Sequence, residues 1–318
     1  MTDVDVVIVN YKSAAHTVKC VRAVFDAARK GNLDARVFVI NNGDESPTFG
    51  SDVQAVGKVD IVTNAANIGF GAACNLGASR GNSPAIYFLN PDAVVDEGSL
   101  APMVTFLNDP QNINVGIVGP EIRDSTGVVV PSCSRLPSLT DLMLRTIGWH
   151  RTGGVGGYPY LSLQEHGQSR AVGQVMGAAL MIRRSVFEEI NGFDERLFLY
   201  YEDADLSSRV YGLGYQSRYL KDVWVTHIGR VSSSQNTGVS LALHIRSRVT
   251  YANLHFGNLG KVSLAAVCVA IEFPVRMLQA MLGKGVVGLG GVLRAYRLLA
   301  LNLFTGTALP KPGRGPKT

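Results

Sequence analysis

Short apolar runs alternate with helix-like segments along the first half of the chain. The runs are rich in Val and Ile and cover 4–11, 35–42, 59–64, 84–90 and 113–122. Near-continuous runs of this kind are typical of parallel strands that are buried on both faces. After the first run, Val18, Val21 and Phe25 recur at helical spacing, and Ser13 is the expected cap of that helix. This alternation predicts an α/β domain with a mostly parallel central sheet flanked by helices.

The second half of the chain is less regular. Its pattern predicts a strand over 171–184, a helix over 202–211, a strand over 215–229 and a helix over 239–256. We therefore expect one α/β domain over residues 1–235. A C-terminal helical region over 236–318, ending in a flexible basic tail, is expected to bind a membrane or a second copy of the chain.

Composition and charge limit the classes of partner that the protein can be expected to bind. With 46% hydrophobic and 17% charged residues, the chain can build a large core. The net charge is +5, and no acid follows Glu272, although Arg294, Arg297 and the tail are basic. This asymmetry suits an anionic surface. The sequence has no RNA-binding signature and no helix-turn-helix pattern, so we expect the inner membrane surface and no nucleic acid.

Three further features bear on compartment. The four cysteines are scattered without a C-x-x-C pair, which favours reduced thiols over a zinc site. The N-terminus lacks the basic segment of a signal peptide, so a cytoplasmic protein, peripheral on the inner face of the membrane, is expected. The apolar run 262–271 is shorter than the roughly 20 residues of a spanning helix, which favours an interfacial or packed helix.

Polar residues follow the predicted strands where those strands end. Asn10 and Tyr11 follow the first strand, Asn41 ends the second, and Asn67 comes soon after the third. Strands commonly end in polar turns, so each position alone is ordinary. In open parallel sheets, however, ligands bind at the carboxyl ends of the strands. Together the positions favour a polar ligand at this edge.

Three side chains are candidates for chemistry. Asp92 follows an apolar strand and Pro91; it is either a turn-capping residue or an oxygen ligand for Mg²⁺ or Mn²⁺. Glu202 and Asp203 begin a predicted helix, where acids are favoured by the helix dipole. They also follow the apolar segment FLYY, which can raise a carboxylate pKa toward that of a general base. His227 is structural unless it shares one edge of the sheet with Asp92 and Asp203.

Two other elements could meet an anionic ligand. The segment NIGFGAACNLG matches neither the dinucleotide nor the P-loop pattern, but its glycines permit close backbone approach at a helix start. Arg246 and Arg248 could bind a diphosphate bidentately or lie solvated on their helix.

Taken together, these motifs resemble the inverting glycosyltransferases of family two, which have the nucleotide-sugar-binding GT-A fold. The resemblance is strongest to the bacterial rhamnosyltransferase-like branch and covers roughly residues 4 to 230. It rests on VVIVNYKS, VFVINNGDES, NIGFGAACNLGA, YFLNPDAVV, GQVMGAALMIRRSVFEEINGFDERLFLYYEDADLSSR and WVTHIGR, in that order.

The resemblance implies a role for each motif. Asp92 matches the metal-binding aspartate of the DXD-type motif, with Asn90 at its first position, and His227 matches a histidine that helps to hold the metal, Mg²⁺ or Mn²⁺. Asp203 matches the general base, with Glu202 beside it. The remaining matches fall into two groups. The nucleotide-sugar-binding group is Asn10, Tyr11, Asn41, Asn67, Gly69, Asn75 and Asn90, to which Arg246 and Arg248, outside the matched segments, are added as residues that could assist at the diphosphate. The acceptor or donor-sugar pocket is Met176, Gly177, Asn191, Gly192 and Asp194. The family usually has Asp where this chain has Asn41.

The implied activity is transfer of a sugar, with inversion, to a hydroxyl of a polysaccharide or lipid-linked glycan. Rhamnose from dTDP-rhamnose is the favoured donor sugar, and galactose, glucose or another hexose, for example from a UDP-sugar, is the alternative. Two alternatives stay open: a non-catalytic nucleotide-sugar-binding scaffold, and a nucleotidyltransferase. The latter requires a basic, Gly-rich loop near the N-terminus, which VIVNYKSAAH lacks.

Overall fold

The computed structural model describes residues 2–43, 48–147, 160–228, 237–283 and 287–305. Its internal contacts divide the chain into two compact units. The first comprises Met1–Leu136, Tyr160–Glu195 and Glu202–Val231. The second comprises Pro137–Pro159, Arg196–Tyr201 and Ser232–Thr318. The predicted domain boundary at residue 235 lies outside the described residues.

The strands in the described ranges all belong to the first unit. They are β1 (Val4–Asn10), β2 (Ala35–Asn41), β3 (Val59–Thr63), β4 (Ala85–Leu89), β5 (Ala93–Val95), β6 (Val115–Arg123), β7 (Val129–Val130), β8 (Cys133–Ser134), β9 (Arg170–Val172), β10 (Gln174–Val175), β11 (Ala179–Arg183) and β12 (Gln216–His227).

The helices in the described ranges occur in both units. They are α1 (Ala14–Lys30), α2 (Phe49–Gln54), α3 (Phe70–Ala78), α4 (Leu100–Asn108), α5 (Leu139–Thr146), α6 (Arg184–Glu189), α7 (Glu202–Gly212), α8 (Thr237–Val267), α9 (Phe273–Met281) and α10 (Leu289–Thr305). Short 3₁₀ turns cover Pro110–Asn112 and Glu165–Gly167, and a π-helical turn covers Cys268–Glu272.

The main sheet runs in the order β3-β2-β1-β4-β11-β6-β12-β5. Its first four strands are parallel, as the sequence predicted, and β6 is parallel to β12. β11 runs antiparallel between β4 and β6, and β5 is antiparallel to β12. The sheet is therefore parallel on one side and mixed on the other. Because β11 is reversed, its first residue lies beside the last residue of β4.

Both faces of the sheet are covered, which explains the near-continuous apolar runs. Every residue of β1 is buried. Its alternate residues enter two different hydrophobic clusters, Val6 and Ile8 in one and Val7 and Val9 in the other. Each fully buried Val or Ile side chain contributes about 1.5–3 kcal/mol to folding.

Two local predictions were wrong. The single strand expected over 171–184 is three segments, β9, β10 and β11. The chain leaves the main sheet at Gly173, where an added Cβ would lie 2.3 Å from the backbone nitrogen of Leu136, and β10 pairs with β8 instead. The side chain of Ser13 also does not cap α1; its hydroxyl donates to Asn10 Oδ1 and the Tyr11 carbonyl instead.

The second unit is helical in its described residues. The helix expected over 239–256 is present as part of α8, which is interrupted at Gly257, where φ is 68°.

Gly238–Met281 is long and apolar enough, by length and composition alone, to cross a membrane, and 17% of its most apolar window is buried. This stretch contains a buried ion pair between Arg248 and Glu272, and Glu272 also pairs with Arg276 at 2.7 Å.

Candidate active site

The carboxyl ends of the parallel strands form one edge of the sheet. Register pairs Asn10 of β1 with Asn41 of β2, and Ile8 of β1 with Leu89 at the end of β4. On the far side of β4, Ala179 at the start of β11 lies opposite Leu89. The polar residues that follow these strands therefore share this edge, as the sequence predicted.

Asp92 and His227 meet directly at this edge. Ala93 of β5 pairs with His227 at the end of β12, and Nε2 of His227 lies 3.2 Å from Oδ1 of Asp92. Burial alone would raise the pKa of Asp92, but the hydrogen bond and charge of His227 outweigh it, with a smaller contribution from His16. The pKa of Asp92 is therefore lowered, and the carboxylate is ionised at neutral pH.

Asp203 is tied to the same edge through the loop between β10 and β11. The backbone N–H of Gly177 donates to Asp203 Oδ2 at 3.0 Å. The next residue, Ala178, accepts a hydrogen bond from the backbone N–H of Asn90 at 2.9 Å. Two adjacent residues of one loop thus connect the Asn90-Pro91-Asp92 turn with Asp203.

The two acids at the start of α7 have different surroundings. Glu202 is buried, and its Oε2 has no hydrogen-bond partner among the described residues. Burial, and secondarily the charge of Asp203, raises the pKa of Glu202 to about 8, so the group is a neutral carboxylic acid at neutral pH. Asp203 keeps part of its surface open to solvent. Burial raises its pKa too, while the N–H groups of Gly177 and Ala204 and the side chain of Gln174 counteract the rise.

The backbone before these acids is strained. Tyr200 and Tyr201 have φ angles of 72° and 67°, in the left-handed region that bulky side chains rarely adopt. Within the second unit, the rings of both tyrosines pack against the imidazole of His244 on α8, with centroids 5.3 and 5.5 Å away. Strained backbone that packing holds in place is a common feature of functional sites.

Asn10 and Asn41 form a buried polar pair at the strand ends. Asn10 Nδ2 donates to Asn41 Oδ1 at 3.1 Å, and Asn10 Oδ1 accepts from the hydroxyl of Thr17 at 2.9 Å. The resemblance implies an aspartate at position 41. Asn41 instead presents a neutral amide oxygen there, which accepts the hydrogen bond from Asn10 Nδ2. Tyr11 follows directly and is partly exposed, with Lys12 Nζ 5.8 Å from its ring centroid.

Asn42 organises the turn that carries Asn67 and Gly69. Its Nδ2 donates to Asn67 Oδ1 at 2.8 Å and to the Gly69 carbonyl at 3.1 Å. Its Oδ1 accepts from the backbone N–H of Ile68 at 3.0 Å. Gly69 precedes α3 with φ at 99°, a conformation that favours glycine. The turn is thus fixed in shape at the start of a helix, where backbone N–H groups can face an anion.

Asn75 and the 191–194 turn form one cross-link. Asn75 Nδ2 donates to the Phe193 carbonyl at 2.9 Å, and Oδ1 accepts from the Phe193 N–H at 2.8 Å. Asn191 and Gly192 have positive φ angles, and a Cβ on Gly192 would lie 2.5 Å from Asn75 Oδ1. The donor and the acceptor atom of the Asn75 amide therefore both bond within the protein, and its contact with the nucleotide sugar stays a prediction. Asp194 follows in the same turn.

The two candidate arginines lie on α8, in the second unit. Arg248 was expected to reach a diphosphate, but its side chain is 2% exposed and pairs with Glu272 and with Cys268 Sγ. Moving the Arg248 guanidinium to a ligand would break its ion pair with Glu272 and leave an uncompensated buried charge, which is strongly unfavourable. We therefore assign Arg248 to the interior of its unit. Arg246 is partly exposed on the same helix and keeps the expected role as a candidate.

The arrangement at Asp92 fits a divalent cation. Within the described residues no group of three or more His, Cys, Asp and Glu side chains could hold a metal. Mg²⁺ and Mn²⁺ commonly use one or two protein ligands and complete their shells with substrate phosphates and water. The ionised Asp92 supplies such a ligand, and the imidazole of His227, 3.2 Å away, can join it once its Nε2 proton is released on metal binding.

Comparison with known proteins identifies the family. A sequence model of glycosyl transferase family 2 matches residues 5–190, more than half of the chain. The chain belongs to glycosyl transferase family 2. It is 31% identical over 273 residues to N-acetylglucosaminyl-diphospho-decaprenol L-rhamnosyltransferase of Mycobacterium tuberculosis, in strains CDC 1551 and H37Rv. This match covers 81% of the chain and 87% of the relative.

Two more distant glycosyltransferases are also similar. The low-salt glycan biosynthesis hexosyltransferase Agl10 of Haloferax volcanii is 25% identical over 66% of the chain and 62% of its own length. The solved structure of the mannosyltransferase PcManGT from Pyrobaculum calidifontis, in complex with GDP-Man and Mn²⁺, has a TM-score of 0.55 at 14% identity. The structural match covers 96% of the present chain and 88% of the mannosyltransferase chain. The predicted GT-A fold is therefore confirmed, and so is the prediction of a family 2 glycosyltransferase that resembles rhamnosyltransferases.

The sequence prediction missed two residues at the candidate site of this glycosyltransferase. In the sequence Asn42 is only part of a polar strand end, whereas in the structure it holds the Asn67–Gly69 turn. Gln174 falls within a predicted strand, whereas in the structure its side chain bonds to Asp203. A polar residue in an otherwise apolar strand was the available signal for Gln174. For Asn42, the second Asn of an Asn-Asn pair gave no separate signal.

Proposed function

We propose that this glycosyltransferase moves rhamnose from dTDP-rhamnose to a hydroxyl of a polysaccharide or lipid-linked glycan, with inversion at the anomeric carbon. One observation carries the proposal: a single loop, Gly177–Ala178, bonds both to Asp203 and to the turn that bears Asp92. A partly open carboxylate with a raised pKa thus lies on the same edge as an ionised carboxylate paired with an imidazole.

The relatives support the sugar and the type of acceptor. The mycobacterial relative is named for transfer of L-rhamnose and for a diphospho-decaprenol-linked acceptor. The hexosyltransferase and mannosyltransferase names support the alternative, a transferase that takes another hexose from its nucleotide diphosphate.

The chain's own groups account for the chemistry of an inverting transfer. Asp203 accepts the proton of the acceptor hydroxyl, and the resulting oxygen attacks the anomeric carbon from the face opposite the nucleotide diphosphate. Glu202 beside it is neutral and adds no negative charge next to the base. Tyr11 and Asn67, both partly exposed, offer polar groups for the base and ribose, and the buried Asn10–Asn41 pair holds the strand ends beside them. Asp92 and His227 would hold Mg²⁺ or Mn²⁺, which when bound neutralises charge on the departing diphosphate.

A donor panel tests this function. The full chain should be incubated with Mn²⁺ and dTDP-rhamnose, UDP-glucose, UDP-galactose or GDP-mannose, and release of the nucleoside diphosphate measured. We expect dTDP-rhamnose to give the highest rate, and a polyprenyl-diphosphate-linked N-acetylglucosamine acceptor to increase it. Faster release from another donor would support the hexose alternative. Donor binding without hydrolysis or transfer would support the scaffold.

We also propose that the second unit lies on the inner membrane surface. Along 259–282, exposed apolar side chains recur at helical spacing, including Leu259 at 80%, Val262 at 63% and Met281 at 71% exposure. Soluble surfaces rarely expose such a continuous apolar stripe. Spacing of this kind gives one apolar face, as in helices that lie in the interface of a bilayer.

The charge of the surrounding residues favours an anionic bilayer as the surface against which this apolar stripe packs. Glu272 is the only acid after Asp222, and it is buried with Arg248 and Arg276. Lys261 and Arg297 are exposed, and the basic residues Lys311, Arg314 and Lys317 lie outside the described residues. The surface of this region therefore carries bases without exposed acids. Each such base contributes about 1 kcal/mol near an anionic membrane.

Vesicle sedimentation tests the membrane proposal. The full chain should bind phosphatidylglycerol vesicles more tightly than phosphatidylcholine vesicles, and salt should weaken binding. A triple variant, Leu259→Glu with Val262→Glu and Val269→Glu, should bind at least roughly tenfold more weakly, because it places charges on the apolar stripe. The matched control, Ile113→Glu with Val128→Glu and Leu163→Glu, alters exposed apolar residues of the first unit and should bind normally. A chain that ignores vesicles but forms a dimer disrupted by the first triple variant would point to dimerisation instead.

A further inference from the structure

A buried histidine, His166, lies outside the residues proposed for substrate. Its side chain is 2% exposed, in the 3₁₀ turn Glu165–Gly167. Nδ1 lies 2.8 Å from the Ser162 carbonyl, and Nε2 lies 3.0 Å from the backbone N of Ser132. A backbone N–H can only donate and a carbonyl can only accept, so Nε2 is the acceptor and Nδ1 carries the proton. The imidazole is therefore neutral and in one defined tautomer.

Nε2 of His166 fixes the entry to strand β8. In addition to the Ser132 N–H, this nitrogen contacts Cys133, the first residue of β8. It lies 3.3 Å from the backbone N of Cys133 and 3.1 Å from its Sγ. Burial raises the pKa of the Cys133 thiol to about 12, so this group stays protonated and donates as well. One ring nitrogen thus gathers donors from two consecutive residues. An apolar side chain at position 166 would leave these buried donors without an acceptor.

Strand β8 in turn sets the position of β10. Val175 pairs with Cys133, and Gln174 pairs with Ser134. The backbone N–H of Met176 donates to the Ser132 carbonyl at 2.8 Å. Gly173, just before β10, leaves no room for a Cβ against Leu136, so the two segments approach closely and cannot shift freely. A displacement of Ser132 and Cys133 would therefore move β10.

β10 and the residues after it carry two donors to Asp203. One is the side chain of Gln174, and the other is the Gly177 N–H at 3.0 Å. Both oppose the rise in the pKa of Asp203 that burial causes. A continuous series of bonded contacts, all within the first unit, therefore leads from His166 through β8 and β10 to the carboxylate.

We propose that His166 is a positioning residue for the general base Asp203, acting through the β8–β10 pair and not through contact with substrate. This inference rests on the proposed function, in which Asp203 removes the acceptor proton. The residue that sets the geometry of the base lies 37 positions before it in the chain and at a different element of the fold.

The test compares three substitutions of His166 in the full chain. His166→Leu removes both polar contacts, and we expect kcat to fall about 10–100-fold, by analogy with the loss of partners that orient metal-binding side chains. KM for the donor should change less than about twofold, since the amides at Asn10, Asn41 and Asn67 are not in this network. The acid limb of the kcat–pH profile should move to higher pH, because Asp203 loses donors that stabilise its charged form. His166→Gln, which can place an acceptor near the position of Nε2, should recover most of kcat. His166→Asn, which can retain only the bond to Ser162, should not.

Two controls separate positioning from general stability. Ser83→Ala removes a buried 2.7 Å hydrogen bond to Asp5 elsewhere in the first unit and should reduce stability without moving the acid limb. In an Asp203→Asn background, His166→Leu should lower the residual rate no further, since both act on one step. If His166→Leu does not fold, the comparison of His166→Asn with His166→Gln decides.

The outcomes distinguish this inference from the proposed function. Wild-type kcat and an unmoved acid limb in folded His166→Leu or His166→Asn, with Asp203→Asn inactive, would overturn the role of His166 alone. An additive loss in the double variant would do the same. Normal turnover by Asp203→Asn would instead remove Asp203 as the base, and the proposed function with it.

Discussion

Asp203→Asn should reduce sugar transfer by roughly 10²–10⁴-fold, the usual contribution of a positioned general base. The amide keeps the size of the side chain but cannot accept the acceptor proton. Binding of the nucleotide sugar should persist, because the polar groups at the ends of β1 and β2 are unchanged. Single-turnover transfer and equilibrium binding of the donor, measured on the same preparation, separate the two effects.

The pH profile of the wild-type enzyme provides a second measurement. Since burial raises the pKa of Asp203, the base is lost by protonation at a higher pH than for an ordinary aspartate. Transfer should therefore fall as pH is lowered through this raised pKa, with an acid limb above about 4. An acid limb at or below that value would contradict the assignment of Asp203.

Glu202→Gln is the matched control, because it alters the neighbouring acid in the same turn of α7. With a pKa of about 8, Glu202 is already neutral at pH 7, and a neutral amide should leave kcat there within roughly threefold. The raised pKa also affects stability: its contribution is complete below the unfolded-state pKa near 4.5 and is lost as pH rises toward about 8. Urea denaturation should therefore favour the variant over wild type increasingly between pH 5 and pH 8. Loss of transfer in Glu202→Gln equal to that in Asp203→Asn would show that the two acids work as a unit.

Asp92→Asn should have the second-largest effect. A metal ligand at a departing diphosphate contributes several kcal/mol, so transfer at a fixed low Mn²⁺ concentration should fall by roughly 10²-fold or more. The structural reason is that Asp92 is ionised next to His227, and the amide removes that charge. Raising the Mn²⁺ concentration should recover part of the activity. A titration of transfer against Mn²⁺, repeated with Mg²⁺, measures the shift.

Asp96→Asn controls for the loss of a nearby acid, because Asp96 follows β5 whereas Asp92 precedes it. Asp96 accepts a hydrogen bond from the Gly98 N–H at 2.9 Å, so its carboxylate shapes a turn. Its substitution should leave the dependence on Mn²⁺ unchanged. Equal activity of wild type and Asp92→Asn in the presence of a chelator would mean that Asp92 does not hold a required metal.

The strand pattern was predictable because it depends on local sequence. β1, β2, β3, β4 and β6 lie within a few residues of their predicted ranges, since a strand buried on both faces must be apolar along its whole length. Parallel strands also end at one edge, so the clustering of Asn10, Asn41 and the Asn90–Asp92 turn followed from the predicted topology. The prediction failed at 171–184, where apolar residues satisfied the strand pattern but Gly173 redirects the chain to a different partner strand.

Hydrogen-bond partners were not predictable, because they join distant parts of the chain. Asn75 engages Phe193, 118 positions away, and this decides that its amide is used within the protein. The sequence predicts for Arg248 either a diphosphate contact or a solvated position on its helix. Only the packing of α8 against the π-helical turn, which places Glu272 beside it, shows that the charge is buried and compensated.

By itself, the sequence determined the α/β class, the order of the first strands, the motifs that identify a family 2 glycosyltransferase and the shortage of acids in the C-terminal region. These are properties of composition and local periodicity, which are present before any contact forms. Only the tertiary structure decided that one loop joins Asp203 to the Asp92 turn, that Gln174 bonds to Asp203 and Asn42 to the Asn67–Gly69 turn, and that His166 bonds to the entry of β8. These contacts depend on which segments of the chain come together. The register of strands that are distant in sequence determines which segments do so.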